Sequence, residues 1–191
     1  MQEIWAGAKD AGLPTHLDGA RIFNAATYLK ISVVELTRGF DTVMFCLSKG
    51  LCAPVGSMLV GSKELMHRAR IIRKSLGGGM RQVGVLAAAG LVSLETMTNR
   101  LDEDHRNARL LAESLAQIPG LTVDLESVQT NIVRFQLNAG KGASDLMTRL
   151  KRRGILVGST GPDAIRLVTH HDVDRAQCEQ AAVQIAEELS Q

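Results

Sequence analysis

Two residues of this 191-residue chain combine an acid and an amine in settings that suit chemistry: Asp18 in "HLDGARIF" and Lys49 in "FCLSKGLCAPVGS". Each follows a short strand-like run and is followed at once by glycine, which releases the chain into a turn. An amine that can form a Schiff base and a carboxylate that can hold a ring nitrogen protonated are what pyridoxal 5'-phosphate requires, because that cofactor stores a substrate carbanion in a protonated pyridine ring. Ligands of open α/β sheets collect at the carboxyl ends of strands, so the two residues are expected on one rim. Either element alone is a common turn signal.

The elements that must position them follow from periodicity and punctuation. A helix is expected from Ile4 to Ala11, stopped by Gly12, and then the Asp18 strand after Pro14. Short helices are expected over Ile22 to Leu29 and Ser32 to Arg38, and a strand over Thr42 to Leu47. "PVGSMLVGS" reads as a buried strand because it is apolar and bounded by glycines. Lys63 to Ser75 carries Leu65, Met66, Ala69 and Ile72 at helical spacing. Gln82 to about Ile118 reads as mostly helical, with Leu91, Leu94, Met97 and Leu101 recurring, a break near Thr98-Asn99, and Pro119-Gly120 as the stop. Beyond it, "LTVDLES", "NIVRFQL", "ILVGSTG" and "AIRLVTH" read as strands, with a helix from Ser144 to Arg153 and a last helix from Asp172, as N-cap, to Leu189. Strands alternating with helices give a small α/β domain from roughly residue 119.

The stretches "HLDGARIFNAA", "CLSKGLCAPVGSMLVGS" and "RKSLGGGMRQVGVLAAAGL", in that order, resemble the low-specificity L-threonine aldolases, fold-type-I pyridoxal-phosphate enzymes of the β-eliminating-lyase and aldolase family. The resemblance runs from about Glu3 to "IRLVTHHDV". It implies an α/β fold, the C-terminal part of a fold-type-I enzyme: a partial large-domain sheet with helices over 1–97, a connecting helix over 98–118 and a small C-terminal α/β domain over 119–191. Family members carry a further large-domain segment before the point that matches Met1, with a phosphate loop and a ring-stacking histidine. These 191 residues alone are accordingly expected to be inactive and aggregation-prone, with an unpaired sheet edge and an uncovered apolar face.

By the same resemblance, Lys49 is the covalent anchor and Asp18 the partner of the ring nitrogen, both catalytic, in the cleavage of L-threonine or L-allo-threonine to glycine and acetaldehyde. Arg21 lies near the cofactor's phenolic oxygen and the substrate carboxylate, Arg81 reaches a cofactor phosphate across a dimer interface, and Lys74 lies near the active site. Arg166 clamps the substrate α-carboxylate, for which a guanidinium fork suits. For Arg21 and Arg166 a salt bridge or a solvated strand position is the alternative, and for Lys74 and Arg81 a turn with solvated charges. His16 is read as a supporting residue on the Asp18 strand. Cys52 stands where the family usually has glycine, so a positive φ there would strain the anchor loop. Other fold-type-I activities (β-eliminating lyase, aminotransferase, racemase) share Asp18 and Lys49, and a non-catalytic fragment that associates with a full-length subunit is a reading from another class.

Composition bounds the rest. A formal net charge of +2 and 3% aromatic residues offer neither a polyelectrolyte surface nor a base-stacking one, so no nucleic-acid partner is expected. The basic run Arg68, Arg70, Arg73 and Lys74 lacks interleaved aromatics and reads as a solvated helix face. Three cysteines, Cys46, Cys52 and Cys178, have neither disulfide-framework nor metal-ligand spacing, and His105 and His170-His171 lack ligand partners, so no metal is expected. No signal peptide or membrane segment is evident, which with the cysteines points to the reducing cytoplasm. The expected partners are a small amino-acid substrate and further copies of the chain, as a dimer or tetramer.

Overall fold

The structure, a computed structural model, describes residues 2–138 and 142–190. The chain divides into two compact units, Met1–Leu101 and Asp102–Gln191.

The first unit begins with helix α1 (Gln2–Asp10), followed by Gly12 at φ +66°. Strand β1 (His16–Asp18) leads into α2 (Ile22–Leu29), as its apolar run predicts, and then α3 (Val33–Thr37). Ser32 caps α3, its hydroxyl accepting the Glu35 N–H at 3.1 Å. Gly39 needs to be glycine twice over: its φ is +98°, and a Cβ there would stand 2.4 Å from the Trp5 ring. Strand β2 (Thr42–Cys46) and strand β3 (Ser57–Gly61) complete a three-stranded sheet in the order β1-β2-β3, parallel then antiparallel. A small core forms from Leu47, Leu51, Ala53 and Leu101, with Phe23 and Phe45 meeting edge to face at 5.5 Å.

The apolar run "PVGSMLVGS" does form a strand, but not a buried one. All of β3 is exposed, Leu59 by 41%. β3 is an edge strand, with β2 its one ladder partner among the described residues. Helix α4 (Lys63–Ser75) has Ser62 as its cap, and Leu65, Met66 and Ala69 are half-buried as expected, whereas Ile72 is exposed. The long helical stretch divides into α5 (Gly84–Thr96), a 3-10 turn (Met97–Arg100) and α6 (Leu101–Ala116), with the break where Thr98 and Asn99 predict it. Leu101 is fully buried and Leu94 and Met97 partly so, but Leu91 faces out.

The second unit places three helices on one face of a four-stranded antiparallel sheet, order β4-β5-β7-β6. The strands are β4 (Leu121–Val123), β5 (Ile132–Leu137), β6 (Gly158–Gly161) and β7 (Ala164–Val168); besides α6 the helices are α7 (Ala143–Arg152) and α8 (Arg175–Leu189). Ala108, Leu111 and Leu115 of α6, Leu146 and Leu150 of α7, and Cys178 and Ile185 of α8 close over Val133, Phe135, Ile165 and Leu167. The stretch expected to connect two domains thus supplies core residues to the second unit.

Three boundaries differ from expectation. "LTVDLES" is strand only to Val123, since Asp124 then caps a 3-10 turn through its bond from the Glu126 N–H at 3.1 Å. "ILVGSTG" becomes strand only at Gly158. The cap of the last helix is Asp174 rather than Asp172: its carboxylate accepts the Gln177 N–H at 2.8 Å while Gln177 accepts the Asp174 N–H at 2.9 Å. Such a reciprocal box needs Glu or Gln three residues on, and Asp172 has Arg175 there.

Candidate active site

Asp18 ends β1, and the parallel register sets it opposite Met44 of β2. The ladder runs one residue further, with the Gly19 N–H donating to the Met44 carbonyl at 2.8 Å. A Cβ on Gly19 would stand 2.8 Å from that same oxygen, so only glycine lets the chain turn here. The turn is closed by the Ala20 N–H, which donates to Asp18 Oδ1 at 3.1 Å and so orients the carboxylate. Asp18 is exposed, and its second oxygen has no partner among the described residues.

The base of the same strand pair is clipped together. The Thr15 N–H donates to Asp41 Oδ2 at 2.7 Å, and His16 Nδ1 bonds Thr42 Oγ1 at 2.8 Å. The bonds from Thr15 hold the Asp41 carboxyl below its ordinary value. His16 is therefore spent on its neighbouring strand.

Lys49 emerges just past the end of β2. Since β1 and β2 are parallel, Asp18 and Lys49 leave the sheet at the same end. A tight loop holds the lysine backbone: Cys52 N–H donates to the Lys49 carbonyl at 2.9 Å, Ala53 N–H to the Leu47 carbonyl at 3.0 Å, and Leu47 N–H to the Gly56 carbonyl at 3.0 Å. Behind the loop, Gly50 is buried against α2, and a Cβ there would come 3.0 Å from Asn24 Oδ1 and 3.1 Å from Leu101. Asn24, 2% exposed, is a buried amide that the sequence reading passed over; its signal is a polar residue inside the apolar run "IFNAATYL". Cys52 does have positive φ, +57°, so the strain expected of a cysteine at this position is present. The Lys49 amine is exposed and has no hydrogen bond or ion pair among the described residues. An unengaged primary amine and an oriented, half-satisfied carboxylate at one sheet end are the donor set that pyridoxal phosphate needs, so the residues fit that group.

The other expected residues lie apart from this end of the sheet or at its margin. Arg21, half-buried, is the residue before α2 and lies three positions beyond Asp18. Lys74 lies in the last turn of α4 and Arg81 follows the glycine run, both exposed; the run folds back through the Gly78 N–H to the Arg73 carbonyl at 2.8 Å, with Gly77 at φ +82°. Lys74 in the last turn also complements the helix dipole. Arg166 belongs to the second unit, on the exposed face of β7 and opposite Arg134 of β5. Arg134 was not foreseen, although the alternation in "NIVRFQL" would have found it.

Of the remaining titratable groups, burial pushes the His105 imidazole below its ordinary value, opposed by the Asp104 charge, and pushes the Cys178 thiol up. All three cysteines are free thiols. No helix among the described residues is long and apolar enough to cross a membrane.

An α/β unit that presents a lysine and an aspartate at the carboxyl end of a parallel strand pair, followed by a small antiparallel unit, defines a class that the chain's kinship makes specific. The chain belongs to the beta-eliminating lyase family, whose sequence model matches residues 1–138. It is 45% identical over 168 residues to low-specificity L-threonine aldolase 1 of Arabidopsis thaliana, covering 87% of this chain and 47% of that protein. It is 40% identical over 182 residues to the low specificity L-threonine aldolase of Escherichia coli K12, covering 95% of this chain and 53% of that protein. The chain thus spans about half the length of the curated relatives it matches. The fold is that of a putative L-allo-threonine aldolase from Listeria monocytogenes, with a TM-score of 0.80 at 20% identity over 97% of this chain and 55% of that one.

Proposed function

We propose that this chain carries the anchoring lysine and the ring-nitrogen partner of a pyridoxal-phosphate-dependent lyase that cleaves L-threonine or L-allo-threonine to glycine and acetaldehyde. The observation that carries the reading is the pairing of an unengaged Lys49 amine with the oriented Asp18 carboxylate at one end of β1 and β2, in a chain 40–45% identical to low-specificity L-threonine aldolases.

When bound, pyridoxal phosphate supplies the electron sink for the pair released as the Cα–Cβ bond of the substrate breaks. Lys49 Nζ is the amine that would hold the cofactor covalently. Asp18 keeps the proton on the ring nitrogen, through the carboxylate oxygen that the Ala20 N–H does not occupy. Arg21 supports the cofactor's phenolic oxygen and the substrate carboxylate, Arg81 binds the phosphate, Lys74 borders the site, and Arg166 takes the α-carboxylate. Gly50 and Asn24 hold the loop behind Lys49. The working protein is a cytoplasmic homo-oligomer, a dimer or tetramer.

Peptide mapping tests the anchor. After incubation with pyridoxal phosphate and reduction by borohydride, the cofactor is expected on the peptide containing Lys49, and recovery on Lys63 or Lys74 overturns the assignment. With the chain joined to the large-domain segment of a full-length relative, Asp18→Asn is expected to keep that label while lowering acetaldehyde release from L-threonine by about 100-fold or more, the loss typical of a preorganised electrostatic contact. Near-normal release would refute its role.

A further inference from the structure

The helix side of the second unit holds a cavity of about 400 Å³, within the roughly 300–1,000 Å³ typical of small-molecule sites. It lies on the face of β7 opposite Arg166: Leu167 lines it, and strand alternation points the neighbouring Arg166 the other way. Leu111 of α6, Cys178 of α8 and Ile155 complete an apolar floor. The wall is preformed. Gly154, at φ +82°, ends α7, and the Ile155 N–H donates to the Leu150 carbonyl at 3.0 Å. The turn packs Ile155 on the core and leaves Leu156, which also lines the cavity, 79% exposed at the rim. An apolar side chain so placed gains by being covered.

Charge in the lining is already paired or in water. The Arg153 guanidinium is paired with Glu187, and its Nε meets Glu188 at 2.6 Å. His170 Nδ1 accepts the Asp172 N–H at 3.3 Å, and the Asp172 side chain is 81% exposed. Two further polar side chains are spent as well: Gln177 Oε1 accepts the Asp174 N–H at 2.9 Å, and the Thr169 hydroxyl donates to the Asp104 carbonyl at 2.6 Å. Gln184 is the exception. It shares one face of α8 with Gln177 and Ala181, and its Oε1 is buried with no hydrogen bond among the described residues. Buried acceptors are rarely left so. A water there would need about two to four polar partners, which the apolar floor does not supply.

We propose that this cavity binds an uncharged small molecule with a ring-sized apolar body and one hydrogen-bond donor, which Gln184 Oε1 accepts. The body fills the floor and covers Leu156. A charged ligand would give up its hydration without gaining a partner, because the charges of the lining are already matched.

Titration of the full chain with indole and with 1-methylindole, read from the Gln184 side-chain amide and the Cys178 backbone amide in NMR spectra, tests it. The two ligands share an apolar body, and only indole has an N–H to donate. Indole is expected to bind about tenfold more tightly, the factor one hydrogen bond to an otherwise unmet acceptor supplies. Gln184→Met, which keeps the length of the side chain and removes the acceptor, is expected to bring indole to the 1-methylindole level. Ala181→Leu, which fills part of the cavity, is expected to weaken both ligands by about tenfold. Equal affinity of the unsubstituted chain for the two ligands overturns the Gln184 contact without recourse to a variant. Binding that ignores Ala181→Leu, or no saturable shift at either reporter amide, overturns the site.

Discussion

The two units bury their apolar residues very differently. In the second, three helices close over one sheet face, and Val133, Leu150, Ile165 and Ile185 are each 0% exposed. In the first, the cluster is Leu47, Leu51, Ala53 and Leu101, while Met58, Leu59 and Val60 of β3 and Val85, Leu91 and Val92 of α5 face out. Helix α5 is apolar all round, the pattern of a helix that is buried on every side. The unit with the proposed chemistry is thus the one with the thinner core, and the unit with the thicker core owes its order to residues that take no part in the anchor. Alternating patterns make a core only where a second layer covers them.

The sharpest way to break this contrast is to truncate one apolar strand residue in each unit. Phe135→Ala is expected to cost about 3–5 kcal/mol, because a fully buried ring leaves a cavity that the three helices cannot fill by shifting. Leu59→Ala in β3 is expected to cost well under ~1 kcal/mol, since its side chain already meets solvent. Urea unfolding of the two variants measures both, and similar losses would show that β3 is covered in solution.

A smaller effect, of opposite sign, is expected in the anchor loop. Cys52→Gly removes the strain of a left-handed cysteine and should stabilise the first unit by about 1 kcal/mol, with no change in the modification of Lys49. A loss of stability would mean that the bond from Cys52 Sγ to the Gly50 carbonyl, 3.6 Å long, outweighs the strain.

The smallest effect separates the units by pH. The folded His105 titrates below its ordinary 6.5, so its contribution is present above that value and is lost as pH falls through the folded one. The folded Asp41 titrates below its ordinary 3.8, so its contribution persists above 3.8 and is lost only at still lower pH. The second unit is therefore expected to weaken first on acidification, and amide exchange followed from pH 7 downward reads the order. His105→Gln should flatten the earlier decline and Asp41→Asn the later one. The reverse order would contradict these assignments.

Local signals were legible wherever the deciding interaction is short-range. Helices α2 and α4 fall over the apolar residues that predict them, the break at Thr98-Asn99 is a 3-10 turn, and Gly12, Gly39 and Gly120 stop their elements at positive φ. The kinship with the beta-eliminating lyases was likewise readable in the chain because it resides in residue types and their order. Burial was not. An apolar run such as "SMLVG" specifies a strand, but whether its faces meet other atoms depends on layers that no local pattern encodes, and here β3 is an exposed edge. The cap of α8 moved from Asp172 to Asp174 because the return bond from Gln177 selected between two equivalent acids. Asn24 behind Gly50, and Arg134 opposite Arg166, are contacts between segments 26 and 32 residues apart in sequence, and only the tertiary structure brings them together.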